Sequence, residues 1–124
     1  MSEIRNADLM SQITDFSGMQ YGLCKPTDID LSMDFQGKLF VFVELKFKGT
    51  GLTRGQKYHL EGLCKAITAG GREAYAILAH HDTPKDEPIM AAEATPASVY
   101  ILGKWCTPCE TTLHELITNI HEGK

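Results

Sequence analysis

Residues 27–47, TDIDLSMDFQGKLFVFVELKF, decide how this chain folds. The first half alternates: Ile29, Leu31, Met33 and Phe35 point one way, and Asp28, Asp30, Ser32 and Asp34 the other. Gln36-Gly37-Lys38 reads as a hairpin turn and residues 39–47 as the returning strand. With Phe35 opposite Leu39, Asp30 faces Glu44 and Asp28 faces Lys46. These four then share a face with Ser32, Asp34, Phe40 and Phe42. The other face, Ile29 to Phe35 on one strand and Leu39, Val41, Val43, Leu45 and Phe47 on the next, is wholly apolar. A slip of one residue would mix the two sets, so the pattern favours this register.

The charged face poses a chemical problem. Directly opposed strand residues hold their Cβ atoms about 5 Å apart. Two carboxylates at that spacing repel, and one must hold its proton unless a positive charge lies between them. A hard divalent cation supplies that charge, and Mg²⁺ usually takes one or two carboxylates together with waters and substrate phosphates. Lys46 then orients a water or offsets charge on a phosphate. The competing reading is a cross-strand ladder of ion pairs on a half-exposed sheet.

Outward from the hairpin, residues 2–18 read as a helix, with Ile4, Leu9, Ile13 and Phe16 near one face and Gly18 at its end. GTGLTRG, residues 49–55, is a loop, and residues 53–71 form a helix started by Thr53 and stopped by Gly70-Gly71. EAYAILAHH, residues 73–81, is a strand, followed by the Pro-rich loop 82–90. ASVYILGKW, residues 97–105, is the last strand, and residues 106–123 the last helix. The predicted order is α-β-β-α-β-β-α in a single domain over residues 1–124, a mixed central β-sheet flanked by helices.

The net charge of −4 gives no global support for nucleic-acid binding. Locally the balance reverses: from Leu45 to Tyr58 the charged residues are Lys46, Lys48, Arg54 and Lys57, with no acid among them. No apolar run approaches the roughly 18 residues of a membrane span. MSEIRNADLM lacks the basic and apolar regions of a secretion signal, so a cytoplasmic protein is expected, with Cys24, Cys64, Cys106 and Cys109 as thiols.

In residue order, Asp30, then Glu44-Leu45-Lys46, then LTRGQ opening a helix, the chain resembles the PD-(D/E)xK, restriction-endonuclease-like nuclease superfamily. The resemblance covers roughly residues 3–80. Pro26-Thr27-Asp28-Ile29-Asp30 stands where that family's PD lies, Glu44-Leu45-Lys46 matches its ExK, and Gln56 matches its helix glutamine. The chain departs from the pattern in three places. The proline is not adjacent to Asp30. A third strand before the helix is unassigned, with MQYGLCK, residues 19–25, the candidate. Leu60 stands where a tyrosine often follows the glutamine.

The resemblance implies a Mg²⁺-dependent nuclease, with Mn²⁺ as substitute, hydrolysing DNA phosphodiester bonds. Asp30 and Glu44, with the Leu45 carbonyl and Asp28 as the alternative acid, are the implied metal ligands. Asp30, Glu44, Lys46 and Gln56 are the implied catalytic set, and Lys48, Arg54 and Lys57 the implied phosphate grips. For Gln56 a second reading stands beside this one, since Thr53-x-x-Gln56 is also a capping box. A cytoplasmic homodimer of junction-resolving type fits the size. The alternatives are a non-catalytic module of the same fold that binds nucleic acid or protein, and a thiol-disulfide protein. The last rests on Trp105-Cys106-Thr107-Pro108-Cys109, where a helix start would activate the first thiol. His80 and His81 read as polar strand-end residues on opposite faces, His59 as a surface histidine, and Glu61 as a further acidic candidate.

Overall fold

The computed structural model describes residues 17–24 and 26–123. The helix expected over residues 2–18 lies outside the described residues, apart from the turn at Ser17-Gly18. The described elements are β1 (Leu31–Phe35), β2 (Leu39–Phe47), α1 (Arg54–Ala69), β3 (Glu73–His81), a 3₁₀ turn at Ala91–Glu93, β4 (Thr95–Ile101), β5 (Lys104–Cys106) and α2 (Leu113–His121). The strands form one mixed sheet in the order β1-β2-β3-β4-β5. β2 and β3 are parallel, joined by α1 as a crossover, and the remaining neighbours are antiparallel.

The hairpin forms in the predicted register, with Phe35 paired to Leu39 and Leu31 to Val43. Its turn carries positive φ at both Gln36 and Gly37, and the Asp34 carboxylate accepts the Gly37 N–H. β1 is shorter than the sequence pattern suggests: it starts at Leu31, so Asp28 and Asp30 precede the ladder instead of belonging to it. Ile29 accordingly leaves the apolar face assigned to it and packs with Phe42 and Leu60 on the opposite side.

Both faces of the sheet are covered. On one, Phe42, Ala74, Ala76 and Tyr100 meet Leu60 and Cys64 of α1, with Phe40, Leu63, Ile67 and Trp105 around them. α1 presents Leu60, Leu63, Cys64 and Ile67 at helical spacing, which gives it one apolar stripe. Leu60 is thus a core residue, 1% exposed. On the other face, Leu39, Val41, Val43, Ile77, Ala79 and Val99 pack against Leu113 and Leu116 of α2. Trp105 Nε1 donates to Glu61 Oε2 at 2.6 Å, tying the sheet's far edge to α1. That bond places Glu61 at the β5 side of the molecule and takes it out of the acid cluster.

Three further expectations are corrected. The described residues of MQYGLCK, 19–24, form no strand of the sheet; only a local bridge joins Tyr21 and Cys24 there. The stretch 97–105 is two strands, because Leu102 and Gly103, both at positive φ, make a two-residue hairpin turn between Ile101 and Lys104. The last helix starts at Leu113, capped by Thr112, and not at Cys106. Cys106 lies in β5 and Cys109 in the following loop, both exposed free thiols. Neither sits at a helix N-terminus, so the dipole that the redox reading needs is missing.

Candidate functional site

The site lies where β2 runs out towards the loop that opens α1. Asp30 sits in a bend just before β1, and its Oδ2 accepts the Leu45 N–H at 2.7 Å. A ladder continued in this register would have Ile29 beside Leu45; the aspartate side chain supplies the acceptor instead. An extended residue aims its N–H and C=O towards the same neighbour. The Leu45 carbonyl therefore faces the Asp30 side of β2.

Glu44 is the buried member, 3% exposed, and the one charged residue in the core among those described. Its pKa is raised from 4.5 to about 7, chiefly by burial, then by the Asp30 charge and a hydrogen bond shared with Asp30. Asp28 pushes in the same direction, while Lys46 pulls the value down. Asp30, Asp28 and Lys46 thus all act on Glu44. The half-buried Lys46 does not outweigh burial and two acids, so the Glu44 carboxyl stays raised.

Gln56 caps α1 and also touches Glu44. Its N–H donates to Thr53 Oγ1 and its Oε1 accepts the Thr53 N–H, each at 3.1 Å, a reciprocal capping box. Its Nε2 donates to Glu44 Oε2 at 3.5 Å. The cap orients the amide, and the amide orients the buried carboxylate.

Lys48, Arg54 and Lys57 stand exposed on the β2–α1 loop and the first turn of α1. The first turn holds no acidic residue. Cations there oppose the helix macrodipole, so they do nothing for helix stability. His59 is exposed on the same helix. His80 deserves more than the strand-end role read from sequence. In the parallel register it lies beside Lys46, on the Glu44 face, and its Nε2 makes a 2.8 Å hydrogen bond with Thr50 O in the loop. Only the β2–β3 pairing reveals this neighbour; its signal in the sequence is the βαβ unit, which makes the strands parallel.

The donor set suits a small, hard cation in number and type: carboxylate oxygens of Asp30 and Glu44, a strand carbonyl, and Asp28 nearby. Among the described residues no group of three or more His, Cys, Asp or Glu side chains gathers into a ready-made cage. Mg²⁺ rarely needs one, since it keeps waters and substrate oxygens in its remaining positions. Among the described residues no helix is long and apolar enough to cross a membrane. No protein-family model matches this chain, and comparison with curated proteins and with solved structures finds no match.

Proposed function

We propose that this chain is a metal-dependent nuclease of the restriction-endonuclease-like type, hydrolysing phosphodiester bonds in DNA with Mg²⁺. The observation that carries the reading is Glu44: a carboxylate 3% exposed, pressed against Asp30, with its pKa raised to about 7. A core position has no structural need for that arrangement, and replacing it with an apolar residue would cost less. A bound cation turns the repulsion into coordination. Part of the topology supports the proposal: an acid before a hairpin, Glu44 and Lys46 on its second strand, a crossover helix, then a parallel strand, though the described residues form only two strands before that helix.

In this reading Asp30 and Glu44 hold the ion, with the Leu45 carbonyl beside them. When bound there, Mg²⁺ supplies a water of lowered pKa and charge neutralisation at the scissile phosphate. Lys46 positions the attacking water and meets the negative charge that develops on the phosphate. Gln56 fixes the Glu44 oxygen. Lys48, Arg54 and Lys57 hold backbone phosphates, contacts that give salt-dependent affinity without sequence information. The basic first turn of α1, unfavourable for the helix alone, supports this assignment.

The test is cleavage of supercoiled, linear and branched DNA in Mg²⁺, Ca²⁺ and EDTA. Cutting should require Mg²⁺ or Mn²⁺, and Glu44→Ala and Lys46→Ala should abolish it while circular dichroism stays unchanged. DNA bound but never cut would leave a non-catalytic module of this fold.

A further inference from the structure

The sheet gives Lys46 a neighbouring strand on one side only. On the β1 side the ladder has already ended, since β1 starts at Leu31, opposite Val43. On the β3 side Lys46 is paired with His80. Adjacent strands lie about 4.8 Å apart, and paired residues of a ladder project from the same face. The His80 ring therefore flanks the Lys46 stem on the side away from β1. Both side chains are half-buried, although the residues that follow Lys46, from Phe47 to Gly51, are all exposed.

The ring is itself tied down. Its Nε2 lies 2.8 Å from Thr50 O in the loop between β2 and α1. A carbonyl oxygen only accepts, so Nε2 carries the proton. The neutral Nε2–H form and the imidazolium both donate from that atom, so the bond survives a change of protonation. Among the described residues no other side-chain hydrogen bond reaches the backbone of residues 48–52. That stretch is otherwise loosely held. The Thr50 N–H donates to Phe47 O across a turn whose third residue, Gly49, has a φ of 86°. Gly51 has no positive φ and nothing within 4 Å of where a Cβ would stand, so it adds freedom that neither strain nor packing demands. His80 joins this segment to the sheet beside Lys46. A lysine stem samples many rotamers unless something confines it. Here the ring confines it on one side, and the side left open is the one that holds Asp28 and Asp30. The pull of Lys46 on Glu44 agrees with an ammonium kept on that side.

We infer that His80 is a positioning residue of the site: its ring, tied to Thr50 O, forms the wall that keeps the Lys46 ammonium towards Asp30 and Glu44. Its bearing on cleavage rests on the reading of the Glu44 site as a nuclease centre. A group that orients an attacking water must be held closely, and a misplacement of about 1 Å costs about a hundredfold in rate.

The experiment compares the parent with His80→Gln and His80→Ala. Glutamine carries its Nε2 at the same number of bonds from Cβ as histidine does, so it still donates to Thr50 O, and its flat amide fills much of the ring's place. The order of the Lys46 side chain is read from NMR relaxation of its ammonium group, with neither metal nor DNA present. Lys46 should be ordered in the parent and in His80→Gln, and mobile in His80→Ala. Cleavage of supercoiled DNA in Mg²⁺ should fall about a hundredfold in kcat for His80→Ala. KM should barely change, because Lys48, Arg54 and Lys57 are untouched. His80→Gln should keep most of the parent kcat and the same pH–rate profile. His80→Asn, whose amide is a bond too short to reach Thr50 O, should behave as His80→Ala does and takes its place if the alanine variant does not fold. Lys46 equally ordered in every variant overturns the inference, as does cleavage that survives His80→Ala unchanged. A His80→Gln as slow as His80→Ala with Lys46 still ordered also overturns it, since the ring would then act on a proton itself. If Lys46 loses its order in His80→Ala but the parent cuts no DNA, the wall stands and the nuclease reading falls.

Discussion

Replacing Glu44 with glutamine should make the protein more stable above neutral pH, by an amount the site geometry sets. The carboxyl has an ordinary pKa of 4.5 and a folded value of about 7. Below 4.5 both folded and unfolded chains hold the proton, and the group costs nothing. Between 4.5 and about 7 the unfolded chain releases it while the native protein keeps it, so stability falls as pH rises. Above about 7 the penalty is complete, about 3 kcal/mol at 1.36 kcal/mol per pKa unit. With Glu44 only 3% exposed, solvent screening takes little from that figure. Glutamine keeps the shape and can still accept from Gln56, but it never ionises. Urea denaturation of both proteins at pH 5 and pH 8 should show a gap of about 1 kcal/mol at the lower pH and about 3 kcal/mol at the higher. The melting temperature at pH 8 should rise by roughly 10 °C. Mg²⁺ at a hundredfold excess over its dissociation constant should stabilise the native protein by about 2.7 kcal/mol and the variant far less. A pH-independent gap, or a variant less stable than the parent at pH 8, would refute the electrostatic reasoning.

Other perturbations separate the roles of the neighbours. Asp30→Asn keeps an acceptor for the Leu45 N–H but removes the second-largest cause of the Glu44 shift; the Glu44 carboxyl, followed by carbon-detected NMR, should titrate lower yet still above 4.5. Gln56→Ala breaks half of the capping box and the contact to Glu44, so it should lower stability by about 1 kcal/mol and reduce cleavage by more than that loss explains. Cys106→Ser with Cys109→Ser should leave cleavage unchanged in both reducing and oxidising buffer; loss of activity there with Glu44→Ala still active would reverse the functional assignment.

Much of this was legible because the hairpin encodes its own register. Leu31, Met33 and Phe35 fit the apolar face only when Phe35 meets Leu39, and that alignment brings Asp30 near Glu44. Thr53, Gln56 and Gly70 bracket α1 with capping chemistry that acts locally, so its bounds follow from neighbouring residues alone. The failures share a cause: something non-local, or a residue against its type, decided the outcome. Leu102 occupies a left-handed turn position that leucine rarely takes, so the apolar run 97–105 concealed a hairpin. β1 stops short of Asp30 because a side chain, not a backbone carbonyl, satisfies Leu45. His80 beside Lys46 and His81 against Phe47 depend on how two strands separated by a helix line up. At the β3–β4 seam the register shifts between Leu78 and Ala79, where Pro96 of β4 has no N–H to give.

The Asp30 bond to Leu45 has a consequence for ligand capture. One carboxylate oxygen is engaged by the backbone once the hairpin closes, so the side chain enters any encounter already held in place. The rotamer entropy is surrendered during folding and not at the encounter. The same tether sets acid position against hairpin length, since zipping β1 on to Ile29 would give Leu45 a backbone partner and evict the Asp30 side chain from that bond.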